Sequence, residues 1–197
     1  MINDIKDSFG AEPELCTRGI RGFSLIELAI VITIFLLILS IALPQALTTL
    51  RAFRASSDAR SIASQLALAK MRAADGFTQA RLNCDLTNKS CQLEVCTSKG
   101  ASACNTFSAE GGSIPLSKEM TFGLGSITTP AGSQTLIQNT AQILFNSRSL
   151  PIDNTGTVTG NDALYLTNYL GDTYAVTVYA SGRIALWRYG NGVWSSQ

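Results

Sequence analysis

The sequence predicts an α+β protein in which a long N-terminal helix packs on a C-terminal antiparallel β-sheet domain. No charged residue occurs from Leu28 to Leu50, a run of 23 positions, and about 20 apolar residues are enough for a helix to cross a membrane. Apolar residues at three- and four-residue steps then continue the helical pattern as far as Asp75. From residue 77 onward, short runs of strand-forming residues alternate with turn residues, which is typical of an antiparallel sheet.

The composition argues against an enzyme and against a binder of polyanions. The chain has 197 residues, of which 46% are hydrophobic and 15% are charged, and its net charge is +1. This length allows one globular domain plus an anchor. Histidine is absent, which removes the commonest general base and the commonest metal ligand. We therefore expect a non-enzymatic protein with no catalytic residues, no cofactor and no metal.

Three kinds of segment compete to explain the apolar run. A secretory signal peptide has a shorter apolar region that ends in a small-residue cleavage site, and no clear A-x-A pattern closes this one. A plain single-pass anchor fits the length but explains neither Gly22 nor Glu27, although a carboxylate in a bilayer is costly. The third interpretation places a processing site before the apolar run, between Gly22 and Phe23.

Residues 22–28, Gly-Phe-Ser-Leu-Ile-Glu-Leu, follow the basic residues Arg18 and Arg21. This stretch resembles the class III signal of type IV pilins and type II secretion pseudopilins. The resemblance implies that a prepilin peptidase cuts after Gly22, removes residues 1–22 as a leader and leaves Phe23 as an N-methylated N-terminus. It also implies the pilin-like fold, a single pass through the inner membrane and a C-terminal domain in the periplasm.

The same resemblance implies roles in assembly for Glu27 and Pro44. After cleavage, Glu27 would be the fifth residue of the mature chain, since 27 − 22 = 5. Its carboxylate would meet the new amine of a neighbouring subunit and set the stagger between subunits, as buried polar pairs can do. The alternative is a carboxylate solvated at the headgroup level. Pro44 removes a helical hydrogen bond and marks either a bend used in assembly or the membrane surface. Residues 23–44 are the predicted transmembrane and assembly half of the helix.

Residues 45–76 are predicted to be the amphipathic half of the same helix. Its apolar stripe is expected to pack on the sheet and consists of Leu47, Leu50, Ala59, Ile62, Ala63, Leu66, Ala69 and Ala73. A basic cluster between Arg51 and Arg60 would lie just outside the membrane, against lipid headgroups or neighbouring subunits. A solvated face is the alternative. Asp75 and Gly76 predict the end of the helix.

Residues 77–197 form the predicted periplasmic β-sheet domain. Its expected strands and short apolar runs are Ala80–Leu86, Gln92–Cys96, Met120–Leu124, Gln142–Phe145, Ala163–Thr167, Tyr174–Ala180 and Ile184–Tyr189. The last two flank a predicted three-residue hairpin loop at Ser181-Gly182-Arg183. Pairing Ala180 with Ile184 then places Val176, Val178, Ile184 and Leu186 on one apolar face.

The cysteines indicate an exported domain. Cys16 lies in the leader, whereas Cys84, Cys91, Cys96 and Cys104 remain after cleavage. Cys84 joined to Cys91 or to Cys96 would staple adjacent strands, and Cys96 joined to Cys104 would close a loop; four cysteines allow three pairings. The spacings lack the C-x-x-C knuckles of a zinc site. We expect disulfides, because an oxidising compartment is already implied.

The C-terminal half narrows the resemblance to the GspH/FimT group of minor pilins and pseudopilins. The features that carry it are Ile143-Leu144-Phe145, Ser149-Leu150-Pro151 and the strand pair around Gly182-Arg183. The group implies a structural subunit that helps initiate or cap a type II secretion pseudopilus or a type IV pilus. Its implied partners are other pilins or pseudopilins, the prepilin peptidase, the inner-membrane assembly platform and, before assembly, membrane lipid.

A DNA-binding minor pilin of a natural-transformation uptake pilus is the alternative function. Some FimT-like pilins carry a G-R-x-R motif, and here the stretch from Gly182 to Ala185 lacks the second arginine. Arg183 and Arg188 lie near Trp187 and Tyr189, and such a set can hold phosphate and stack a base. Ordinary surface arginines on a half-exposed hairpin are the simpler interpretation.

A calcium site is a further alternative. Asp153, Asn154, Asn161 and Asp162 offer oxygen ligands of the kind that calcium prefers. The spacing and closing glutamate of an EF-hand are absent, and aspartate, asparagine and glycine are also ordinary turn residues.

Overall fold

The computed structural model describes residues 24–98 and 104–197. The chain divides into two compact units, one ending at Pro44 and the other running from Gln45 to Gln197. The described part of the first unit is helical, and the second unit contains the rest of the helix together with all the described strands. The predicted α+β fold, a long N-terminal helix packed on an antiparallel β domain, is confirmed.

Helix α1 runs from Leu25 to Asp75 and has 51 residues. Within the second unit, one stripe of the helix is buried at alternating four- and three-residue steps and consists of Ala55, Ala59, Ile62, Leu66, Ala69 and Ala73. This spacing keeps the side chains on one face, and the small alanines let the sheets approach closely. The prediction that Leu47 and Leu50 belong to this stripe was wrong, because each is 51% exposed. The buried stripe begins at Ala55.

Eleven strands follow the helix in the described part of the chain. They are β1 (Ala80–Asp85), β2 (Ser90–Cys96), β3 (Phe107–Ala109), β4 (Ile114–Pro115), β5 (Met120–Phe122), β6 (Gln142–Phe145), β7 (Pro151–Ile152), β8 (Asp162–Asn168), β9 (Thr173–Val178), β10 (Ile184–Gly190) and β11 (Val193–Ser196). The seven predicted strands correspond to β1, β2, β5, β6, β8, β9 and β10. Strands β3, β4, β7 and β11 were not predicted from the sequence.

The strands form two antiparallel sheets. The first has the order β3-β2-β1-β6-β7, with β4 also paired to β2, and the second has the order β11-β10-β9-β8-β5. One core joins the helix stripe to both sheets. It contains Leu82, Leu93, Ile143 and Phe145 from the first sheet and Leu164, Leu166, Val176 and Val178 from the second. Because period-2 alternation sends these side chains to one face of each sheet, the helix lies against the inner faces.

The outer face of the second sheet is covered by the segment between β5 and β6. Tyr165, Ala163 and Ala175 form a smaller cluster there with Ala131. The Ala131 N–H donates to the Tyr165 hydroxyl at 3.1 Å, and the Trp194 indole N–H donates to the Thr129 carbonyl at 3.0 Å. Aromatic side chains with polar ends therefore hold a long connection against the sheet.

The β9–β10 hairpin differs in register from the prediction. Val178, not Ala180, is opposite Ile184, and the Tyr179 N–H donates to the Arg183 carbonyl at 2.9 Å. The loop is therefore Ala180-Ser181-Gly182, which begins one residue earlier than predicted. The third loop position requires a positive φ, which is 75° at Gly182, and glycine adopts this conformation readily. The partner of Ile184 moves by two residues, from Ala180 to Val178. Because side chains alternate between faces with a period of two, Val176, Val178, Ile184 and Leu186 still share one face.

Two disulfides connect the four described cysteines. Cys84 and Cys91 are directly opposite each other in the β1–β2 pair, with their Cα atoms 4.0 Å apart. Cys96 at the end of β2 is joined to Cys104, with a Cα separation of 6.0 Å. The first bridge lies in the core, whereas Cys104 in the second is only half-buried. Cys16 lies outside the described residues.

The conformation at Gly182 generates a stability prediction. A Cβ built there would lie 2.2 Å from the Ser149 carbonyl oxygen, whereas Gly192, with a similar φ of 81°, has no atom within 4 Å of such a Cβ. Gly192→Ala should therefore cost only the positive-φ penalty, about 1–2 kcal/mol. Gly182→Ala should cost about 2 kcal/mol more, since backbone must move. Denaturant unfolding of the full chain in detergent micelles, followed by tryptophan fluorescence, measures both. Equal losses would contradict the close approach.

The two disulfides should differ in their resistance to reductant. Both Cys84 and Cys91 are almost fully buried, and thiol–disulfide exchange requires access of the attacking thiolate to a sulfur atom. We expect mild reductant under native conditions to open Cys96–Cys104 first. Alkylation during a time course, followed by peptide mass spectrometry, identifies the modified cysteines. A denatured sample is the control, in which the difference should disappear.

Candidate functional site: the N-terminal apolar helix

The first half of α1 exposes a continuous apolar surface. Its large side chains from Leu25 to Leu43 are exposed except for the half-buried Leu39, and Leu25 is 85% exposed. Among the described residues, α1 is the one helix long and apolar enough to span a membrane, with a mean hydropathy of 2.9 over 18 residues and none of that window buried. An apolar surface of this extent marks a site for lipid or for other helices.

The hydroxyl groups of this segment are satisfied within the helix. The Thr33 hydroxyl donates to the Ala29 carbonyl, and the Ser40 hydroxyl donates to the Leu37 carbonyl at 2.7 Å. Such back-bonding satisfies polar side chains without water. The two hydroxyls therefore need no hydrogen-bond partner from a neighbouring helix or from lipid.

Glu27 is different, because its charge has no partner in the described structure. It lies in the first turn of α1, where the helix dipole favours a negative charge. Among residues 24–98 and 104–197, no hydrogen bond or ion pair engages its carboxylate. A carboxylate placed in hydrocarbon without a partner costs several kcal/mol. A positive group from outside the described residues would remove most of that cost.

Pro44 lies inside α1 and ends the first unit. It has no N–H to donate to the Ser40 carbonyl four residues earlier. Just beyond it, the Thr48 and Thr49 hydroxyls both donate to the Gln45 carbonyl, at 2.8 and 3.0 Å. Pro44 therefore removes one backbone hydrogen bond from the helix at this point. The predicted processing residues Gly22 and Phe23, with Arg18 and Arg21, lie outside the described residues.

The two candidate DNA-contacting arginines already contact groups of the β domain. The Arg183 guanidinium lies 5.6 Å from the centre of the Tyr179 ring. Arg188 lies 6.0 Å from the centre of the Tyr174 ring and 3.9 Å from the carboxylate of Asp172. Both arginines are therefore engaged in local contacts within the β domain.

In the candidate calcium loop, the turn itself engages an oxygen of Asp153, whereas the Asn161 oxygen accepts from Thr135 and one oxygen of Asp162 is buried without a hydrogen-bond partner among the described residues. One Asp153 oxygen accepts from the N–H groups of Thr155 and Thr157, each at 2.9 Å, and from the Thr155 hydroxyl at 2.7 Å. The Thr155 hydroxyl is the main cause of the lowered pKa of Asp153. Burial raises the pKa of Asp162 above its ordinary value. In the described ranges, no group of three or more histidine, cysteine, aspartate or glutamate residues could hold a metal ion.

One surface feature, the turn between β8 and β9, was not predicted from the sequence. Tyr169 and Leu170 are 64% and 49% exposed at its tip. The spacing of Asn168 and Gly171 between two strands is a turn signal and would have located this loop. That the tip lies beside α1 is visible only in the fold, where the Arg51 guanidinium is 5.4 Å from the centre of the Tyr169 ring.

Comparison with known proteins identifies the N-terminal segment. Residues 17–43 match the family described as the prokaryotic N-terminal methylation motif. No curated protein matches the chain. Two solved structures of the minor pseudopilin EpsH from the type 2 secretion system of Vibrio cholerae are similar to it. One has 14% identity and a TM-score of 0.47, covering 70% of this chain and 99% of that one. The other has 15% identity and a TM-score of 0.44, covering 68% and 92%.

The motif match bears directly on the apolar helix. It spans the basic residues, the predicted cut after Gly22, Glu27 and most of the exposed apolar segment. The predicted resemblance to type IV pilin-like proteins is therefore confirmed at the N-terminus: the chain carries a prokaryotic N-terminal methylation motif at the head of the long helix of an α+β protein.

Proposed function

We propose that the chain is a minor pilin or pseudopilin of the GspH/FimT type, a structural subunit that helps initiate or cap a type II secretion pseudopilus or a type IV pilus. The observation that carries this proposal is the unpartnered carboxylate of Glu27 on an exposed apolar helix that bears the methylation motif. The exposed apolar segment can bind lipid or other helices along its length, and Glu27 is the residue on it that needs a positively charged partner.

Processing supplies the partner that Glu27 lacks. Prepilin peptidase would cut after Gly22 and create an amine on Phe23, which then carries the methyl group. Glu27 lies four residues beyond Phe23, about 6 Å along a helix. When helices of neighbouring subunits pack side by side, the carboxylate of one subunit meets the amine of the next. Because a misaligned neighbour would leave both charges unpaired in an apolar environment, this pair selects one stagger.

The rest of the chain fits a subunit anchored in the inner membrane with its β domain in the periplasm. The apolar segment is long enough to hold the subunit in the membrane before assembly. The two disulfides of the β domain suit an oxidising compartment. Residues 23–44 would form the assembly half of the helix, residues 45–76 its amphipathic half and residues 77–197 the periplasmic domain. Other pilins or pseudopilins and the inner-membrane assembly platform are the partners of this function.

Processing is tested at the N-terminus of the protein. Expressed with a prepilin peptidase, the chain should begin at a methylated Phe23, as measured by mass spectrometry of the N-terminal peptide. Gly22→Leu should block the cut, because a bulky side chain replaces the small residue before the scissile bond. A peptide that still begins at Met1 in the wild-type chain would contradict the proposal.

Assembly is tested at Glu27. Glu27→Ala removes the carboxylate and should lower incorporation into sheared filaments at least tenfold, while membrane insertion persists because the apolar run is unchanged. Glu110→Ala is the matched control, since Glu110 pairs with Arg72 at the surface at 2.6 Å and such pairs contribute about 0–1 kcal/mol. Immunoblots of sheared and membrane fractions measure both variants. Normal incorporation of Glu27→Ala would reject the pairing role.

A further inference from the structure

We propose that the tip of the β8–β9 turn, Tyr169 and Leu170, forms a membrane contact together with the first turns of α1 in the second unit. This contact would hold the β domain against anionic lipid headgroups before the subunit enters a filament. The inference rests on the proposed insertion of residues 23–44 in a membrane.

The turn is built to be rigid. The buried Asn168 side chain accepts from the N–H groups of Leu170 and Asp172, each at 2.9 Å, and its amide donates to the Asp172 carboxylate at 3.0 Å. Gly171 closes the loop with a φ of 89°. Three side-chain hydrogen bonds therefore fix the backbone of a loop that presents an aromatic and an aliphatic side chain to the outside. A fixed presentation lowers the conformational entropy lost on binding.

The tip lies next to one face of α1. Arg51 contacts the Tyr169 ring and also pairs with Glu119 at 3.6 Å. Leu47, Leu50, Arg51 and Arg54 recur at helical spacing and share this face. Both leucines are half-exposed. The surface thus combines three leucines, Leu47, Leu50 and Leu170, with one tyrosine and two arginines.

Chain connectivity keeps this surface close to a membrane in which residues 23–44 are inserted. Gln45 is the first residue of the second unit and follows directly on the apolar segment. Arg51 is six residues further, about 9 Å along the helix. Because only six residues separate Arg51 from Gln45, insertion of residues 23–44 in a membrane would keep Arg51 within reach of the headgroups.

The chemistry of the surface matches an anionic lipid interface. Tyrosine is enriched at this level of membranes, and arginine is attracted to anionic headgroups. Arg54 is exposed, and in the described residues it has no ion pair. Asp58, one turn later, accepts from the Ser117 N–H and hydroxyl at 2.8 and 3.0 Å. The acidic groups nearby are Glu119, which pairs with Arg51, and Asp172, which is bonded to Asn168.

The test uses the full chain in vesicles of phosphatidylethanolamine and phosphatidylglycerol. Benzoylphenylalanine replaces Tyr169 in one variant and Val193 in a matched control, since both positions are 64% exposed but Val193 lies on the edge strand β11. After irradiation, mass spectrometry should find lipid adducts at position 169 at least tenfold above those at 193. The double variant Arg51→Gln, Arg54→Gln should lower the yield at 169 at least threefold.

Flotation of the vesicles separates the two proposals. If the chain floats and resists alkaline extraction but position 169 gives no lipid adduct, or gives an adduct to protein only, the membrane contact is rejected and the filament function stands. If the chain does not insert, both proposals fail. A yield at 169 that the double arginine variant leaves unchanged overturns the role assigned to the arginines.

Discussion

One helix has to bury its apolar surface in two different ways, and this constraint organises the whole protein. From Ala55 to Ala73 the chain supplies its own cover, because two sheets close over a stripe of small and branched residues. From Leu25 to Leu43 it supplies none. The exposed part can be stable only in lipid or among other helices, so the fold itself requires a membrane or an assembly.

Charge makes that requirement specific. Two apolar helices in a membrane can change their relative alignment with little change in free energy, since lipid tails are as apolar as leucine side chains. A single carboxylate near the start of the segment changes this, because it is expensive in hydrocarbon unless a cation lies beside it. The hydroxyls of Thr33 and Ser40, by contrast, are satisfied within the helix. In the proposed filament, Glu27 is therefore the element that distinguishes a correct neighbour from a displaced one.

Some elements of the β domain can be predicted from local sequence signals, whereas others cannot. Asn191 and Gly192, with φ values of 53° and 81°, form the two-residue turn before β11, and an Asn-Gly pair is a strong hairpin signal that would have identified this strand. The strands β3, β4 and β7 have two or three residues each. Such pieces have no periodicity of their own and exist because a longer strand offers them hydrogen bonds.

By itself, the sequence determined the N-terminal methylation motif, the apolar segment, the helix end at Asp75 and most of the longer strands, because each depends on residues close together in the chain. The tertiary structure decided which cysteines pair, since β1–β2 register places Cys84 opposite Cys91. It also decided that Leu47 and Leu50 stay exposed while Ala55 is buried, and that Tyr169 meets Arg51. Helical spacing specifies a face, but only the position of the covering sheets specifies how far along that face burial extends.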